Sequence, residues 1–176
     1  MSMDSAVQAG AQLLLVHHGI SWGNGFQRIT DMTAQRLAIC FRQQLSLYAM
    51  HLPLDAHREI GNNVLIAQNL GFPVTGMFAP VNDLNLGAYC DVKNIRTADV
   101  AEFFSRRTGA GCQIFGNAER PVHRLGIISG SGSGCIGDCV TSQVDTLLTG
   151  ELSHAHCHEA WERGVNIITA GHYQTE

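Results

Sequence analysis

Apolar residues along the chain fall in short runs, and their spacing alternates between that of strands and that of helices. Leu13–Val16 is an uninterrupted apolar run of the kind found in buried strands, preceded by a helical stub over residues 4–9 that Gly10 stops. Residues 17–30, with glycines at 19, 23 and 25, read as a loop. From Asp31, an acceptable N-cap, Ala34, Leu37, Ala38, Phe41 and Leu45 recur at helical spacing, and residues 46–52 read as a strand halted by Pro53. Asn62–Leu70 predicts a helix closed by Gly71, residues 74–92 a hairpin, and Thr97 the start of a helix running to Arg107. Further strands are expected at 112–115, 122–128, 146–149 and 166–170, with helices near 135–143 and at 153–163. Strands alternating with helices predict an α/β protein with a largely parallel sheet.

The pattern also repeats. Ala6, Gly10, Leu13–Val16 and His18 fall in the order helix, glycine, strand, histidine, and Ala160, Gly164, Ile167 to Ala170 and His172 fall in the same order. Two such units, each delivering a histidine beyond its strand, predict one fold of 176 residues in which halves at about 1–72 and 120–176 face one site, joined by a segment at 73–119.

Composition narrows the function. Hydrophobic residues make up 45% and charged residues 15%, which excludes a disordered chain or a coiled coil. No apolar run approaches the ~20 residues that span a bilayer, and the first ten residues lack the form of a signal peptide, so a cytoplasmic protein without a membrane segment is expected. With a net charge of -4 and Lys93 as the sole lysine, the basic stripe that grips nucleic acid is missing. Six cysteines without a CxxC pair read as reduced thiols. The nine histidines are the unusual count, and they point toward metal or proton chemistry.

The polar residues of interest follow predicted strands: His17 and His18 the first, His51 and Asp55 the second, residues 129–134 and Glu151 later ones, and His172 the last. In open α/β sheets ligands bind at that carboxyl edge. His172 and Glu176 are spaced to share one face of a helical turn, and Pro53 places Asp55 on a turn. The mixed nitrogen and oxygen donors suit zinc, manganese, iron, cobalt or nickel. Two such ions about 3.5–4 Å apart can share and activate a water, which is hydrolase chemistry. Ser129, Gly130, Gly132 and Gly134 form a loop between strand and helix whose amides are candidates to hold an anionic group, with Arg28, Arg58 or Arg124 to neutralise it. For proton transfer His51 is the first candidate and His158 the second, while His154 and His156 read as surface residues.

Five motifs, in order, carry a resemblance: Leu14 to Gly19 with Ile20-Ser21-Trp22; Tyr48 to Asp55 with Gly61-Asn62-Asn63; Ser129 to Gly134; Thr149-Gly150-Glu151; and Ala170 to Glu176. Together they resemble the GTP cyclohydrolase 1 type 2 homologue family, also called the Nif-three-like dinuclear metal-centre proteins. The resemblance implies two interlinked α/β halves, a ring-shaped hexamer, and two divalent transition-metal ions held by His17, His18, Asp55, His172 and Glu176, with Glu176 bridging. Family members usually have a further segment before the His17-His18 motif and a helix beyond the final glutamate. Two functions are compatible with this: a metal-dependent hydrolase of a nucleotide such as GTP, or a metal-binding regulatory or adaptor protein.

Overall fold

A computed structural model describes residues 2–26 and 28–176. The chain divides into two compact units, residues 1–51 and 52–176. In the first, α1 (Ser2–Gln8) leads into β1 (Leu13–Val16), and α2 (Asp31–Arg42) into β2 (Ser46–Ala49). The two strands pair in parallel, with Leu13 opposite Ser46 and Val16 opposite Ala49.

The apolar run at 13–16 predicts a buried strand, and here the structure differs. Leu13 and Leu15 are 58% and 65% exposed, whereas Leu14 and Val16 are half-buried. The inward positions Leu14, Val16 and Leu47 line a cavity with Met3 of α1 and Met32 and Ile39 of α2, so within this unit the helices cover one face of the sheet. Thr30, rather than Asp31, occupies the cap of α2. The strand expected at 46–52 ends at Ala49, because Leu52–Asp55 turns into a short helix, α3. Pro53 fits there, since the first turn of a helix does not use its N–H groups.

The second unit continues from α3 with α4 (Asn62–Leu70), the hairpin β3 (Gly76–Val81) and β4 (Leu84–Arg96), α5 (Thr97–Thr108) and β5 (Gln113–Phe115). After β6 (Pro121–Ile128) come a 3₁₀ turn (Gly132–Cys135), α6 (Ile136–Thr141), β7 (Thr146–Thr149), α7 (His154–Arg163), β8 (Asn166–Thr169) and α8 (His172–Thr175). Its six strands lie in the order β3-β4-β6-β7-β8-β5. The adjacent strands β6, β7 and β8 are parallel, while β4 and β5 join them antiparallel on either side. This is the α/β class that the sequence predicts.

The central strands alternate between two cores. Ile127, Leu148 and Ile168 pack with Ala67 and Leu70 of α4 and Val100 and Phe104 of α5. Their neighbours Ile128, Leu147 and Ile167 pack on the other face with Ile136 and Cys139 of α6 and Ala160 of α7. Successive strand residues point to opposite faces, so a strand covered by helices on both sides is apolar throughout. Helix α4, which the sequence reading groups with the first half, lies in this unit and forms part of its core.

The repeated helix-glycine-strand order has a common local geometry. Gly10 and Gly164 both take left-handed backbone, with φ of 67° and 68°. Past them, the amides of Ala11 and Val165 close onto the carbonyls of Ala6 and Ala160, each at 2.9 Å. This closure satisfies the last helix carbonyls and turns the chain directly into a strand, and left-handed φ is least costly at glycine.

Burial also fixes the behaviour of two thiols. Desolvation pushes Cys90 and Cys139 up to about 12. In the folded protein near neutral pH both should therefore resist iodoacetamide and become reactive only on unfolding. Peptide mapping of alkylated native protein checks this, and rapid labelling of either residue would contradict it.

Candidate metal centre

In the first unit three histidines converge. His17 and His18 leave the end of β1, and His51 follows β2, the parallel partner of β1. Their ring centroids are 4.9–5.0 Å apart in every pairing, and each ring offers a nitrogen within 4.8 Å of the others. Trp22 packs edge-on against His18 and His51 at 5.3 and 5.2 Å. His17 Nδ1 lies 2.9 Å from the Met50 carbonyl oxygen. A carbonyl only accepts, so Nδ1 carries the proton in this bond and Nε2 is the nitrogen offered to a ligand in the neutral ring.

In the second unit the loop after β6 gathers the remaining donors. Asp55, at the end of α3, is 6% exposed, and its Oδ1 accepts hydrogen bonds from Asn62 Nδ2 and Ser129 Oγ, both at 3.0 Å. His172 and Glu176 are four residues apart at α8, with Nε2 2.9 Å from Oε2. His172 Nδ1 meets Glu151 Oε1 at 2.7 Å, and Ser131 Oγ donates to Glu151 Oε2 at 2.7 Å. Burial opposes charge on His172, but the bond to Glu151 and the charges of Glu176 and Glu151 outweigh it and raise its pKa. Hydrogen bonds from Ser131 and then His172 hold the Glu151 carboxyl below its ordinary value.

Loop and donors fit closely. Gly130 has φ 59°, and a Cβ there would run into the Glu176 carboxylate and approach His172 Nε2. Nitrogen and carboxylate oxygen donors of this kind are the set that zinc and neighbouring divalent ions take, and a group of His and Glu side chains among them could hold a metal ion.

The family model of Duf34/NIF3 (NGG1p interacting factor 3) matches residues 1–176. The chain belongs to the Duf34/NIF3 family. It is 39% identical over 176 residues to a GTP cyclohydrolase 1 type 2 homolog of Deinococcus radiodurans, covering 99% of this chain and 66% of that protein. It is 37% identical to the homolog of Pseudomonas aeruginosa, covering 99% and 69%. The chain thus spans about two thirds of the length of these relatives. Among solved structures it is similar to protein ybgI, of unknown function, with a TM-score of 0.86 and 32% identity over 99% of this chain and 69% of that one. It is likewise similar to TTHA1606 from Thermus thermophilus, with a TM-score of 0.80 and 34% identity over 99% and 68%.

Within this NIF3 framework the other sequence candidates separate. His51 joins His17 and His18. His158 does not join the donors of its own unit: it lines a cavity of about 470 Å³ with Phe115, Arg120 and Trp161, beside the start of β8 rather than its end. It pairs edge-on with His154 at 5.9 Å, as their spacing on one helix face predicts. His156 turns the other way, toward Ser133 and Ser153, and His57 accepts the amides of Glu59 and Ile60, so both stabilise local turns.

Three amides of the candidate anion loop (Ser129, Gly130, Gly132 and Gly134) are engaged within the fold. The amides of Ser129, Gly130 and Gly132 already donate to Asn63 Oδ1, Thr175 Oγ1 and Thr149 Oγ1, at 2.7, 3.0 and 3.0 Å, and Gly134 lies within the 3₁₀ turn. The loop is held by side chains and is already saturated at those three positions. Arg124 is likewise committed, to Asp91 at 2.6 Å and to the Ser142 carbonyl at 2.8 Å, while Arg28 and Arg58 are exposed. Sequence reasoning assigned no role to Asn63, Thr149 or Thr175, although each lies in or beside a motif quoted for the family resemblance.

The fit at Gly130 is testable against a glycine without constraint. Gly130→Ala should destabilise the protein by more than about 1 kcal/mol, since both its φ and its neighbours exclude a Cβ. Gly137, in α6, has open space around it, and Gly137→Ala should stabilise by roughly 0.5–1 kcal/mol. Urea denaturation measures both, and equal effects would refute the packing argument.

Proposed function

We propose that His17, His18, Asp55, His172 and Glu176 hold two divalent transition-metal ions, of Zn, Mn, Fe, Co or Ni, with Glu176 bridging, and that the protein hydrolyses a nucleotide of the GTP type. One observation carries the reading: three of these side chains are each oriented by a hydrogen bond to protein through one polar atom. His17 is tied through Nδ1 to Met50, His172 through Nδ1 to Glu151, and Asp55 through Oδ1 to Asn62 and Ser129. Outer partners of this kind orient metal ligands. The printed name of the relatives, GTP cyclohydrolase 1 type 2 homolog, supports the substrate class.

Bound ions would lower the pKa of water and polarise the substrate. His51, beside His17 and His18, is the group of this chain placed to move a proton. The protein acts in the cytoplasm as a homo-oligomer, in line with a hexamer. No described helix is long and apolar enough to cross a membrane. Leu13, Leu15 and Tyr48 expose an apolar face of the two-stranded sheet, the kind of surface that marks an interface.

Elemental analysis after mild loading should give up to two ions per chain, and substituting both His17 and His18 with Ala should reduce that number. Unchanged loading would remove the ligand assignment. Loaded protein given GTP should release formate and lose the guanine chromophore. Asp55→Asn should abolish this turnover, because the variant keeps an oxygen for Asn62 and Ser129 but loses the charge. Full metal loading with no turnover of GTP or other nucleotides would favour a regulatory or adaptor role instead.

A further inference from the structure

We infer that Glu151 is a positioning residue for the metal centre: held by Ser131, it fixes the His172 imidazole in the Nδ1–H form and aims Nε2 at the ion. The inference deepens the proposed function and rests on its assignment of His172 as a ligand.

The geometry is a chain of three groups within one unit. Ser131 lies in the loop after β6, Glu151 just beyond β7 and His172 at the start of α8 just beyond β8, so three successive parallel strands deliver them to one edge. Ser131 Oγ donates to Glu151 Oε2, and the other carboxylate oxygen, Oε1, faces His172 Nδ1. An ionised carboxylate has no proton to give, so the imidazole must donate through Nδ1. Nε2 stands 2.9 Å from Glu176 Oε2, beside Gly130, and when an ion takes the place of its proton the lone pair there is the one left to bind it. The backbone reinforces the arrangement: the Glu151 amide donates to the Gly130 carbonyl at 2.9 Å, and the Gly171 amide to the Gly150 carbonyl at 3.0 Å. The carboxylate and the ring it orients are therefore both anchored to neighbouring backbone.

A carboxylate bound to the remote nitrogen of a metal-binding histidine fixes its tautomer and raises its basicity, and losing it typically weakens metal binding about 10–100-fold. Ser131 has a narrower part. It holds the carboxylate rotamer, so its loss should act in the same direction and more weakly.

The test uses the full chain with 15N-labelled histidine. In the zinc-loaded wild type, with Nε2 on the ion, 15N–1H correlation should show the His172 proton at Nδ1. Glu151→Ala should lose that preference, and zinc affinity, measured by competition with a chelator, should fall roughly 10–100-fold. Glu151→Gln keeps an acceptor oxygen without the charge and should restore most of both signals, with Ser131→Ala intermediate. Glu151 is 54% exposed in its side chain, so its removal leaves the core untouched. If Glu151→Ala retains the Nδ1–H form and wild-type affinity, the positioning role is wrong. If Glu151→Gln binds zinc as weakly as Glu151→Ala, its effect is one of charge and not of orientation, which also overturns the inference. Failure of the wild type to bind zinc, cobalt or manganese would instead overturn the metal assignment of His172 itself.

Discussion

When β6 ends at Ile128, its backbone must leave the sheet without leaving buried amides unpaired. Three side chains meet that requirement. Asn63 from α4 takes the amide of Ser129, Thr175 from α8 that of Gly130, and Thr149 from β7 that of Gly132. Because these acceptors come from three separate elements, satisfying the loop also sets the positions of α4, the end of β7 and α8. Asp55 is then reached by the hydroxyl of Ser129, and Glu176 fills the space that a Cβ at Gly130 would occupy. The candidate metal ligands of the second unit thus inherit their geometry from the hydrogen-bonding needs of one short loop.

Much of this was legible in the sequence wherever local rules govern. The limits of α4 and β7, and the closure after Gly10 and Gly164, follow from helix period, strand runs and glycine at left-handed positions. The histidine and carboxylate candidates could be found because each follows a strand and sits at a spacing that suits ligands. What a linear reading could not supply was direction. The glycine-serine loop looks like an anion cradle until the residues 66, 45 and 17 positions away that already occupy its amides are known. His158 and His156 differ by two places on one helix, which is enough to send one to a cavity and the other to Ser133. The run at 13–16 has the composition of the central strands, yet only the packing of the neighbouring helices decides whether one face or two are covered.

The candidate donors are also oriented by partners of different kinds. His17 and His172 present the same ring nitrogen by different means, one through a main-chain carbonyl and the other through a carboxylate. A carbonyl supplies orientation with no net charge, whereas a carboxylate adds negative potential and makes the ring more basic. The two imidazoles are therefore unequal electron donors although their side chains are identical, and ions held by them would differ in acidity.

Asn63 has a further consequence of its own. Its Oδ1 accepts from Ser129 while its Nδ2 donates to the carbonyls of Leu86 and Asp55, at 2.6 and 3.3 Å, and the side chain is wholly buried. The carboxamide is thus read as a direction, with oxygen toward the loop and nitrogen toward two carbonyls. Aspartate would fill the same volume but turn an oxygen toward both carbonyls and bring a charge into a buried site. At this position the fold distinguishes two side chains of nearly identical shape by the placement of two hydrogen atoms.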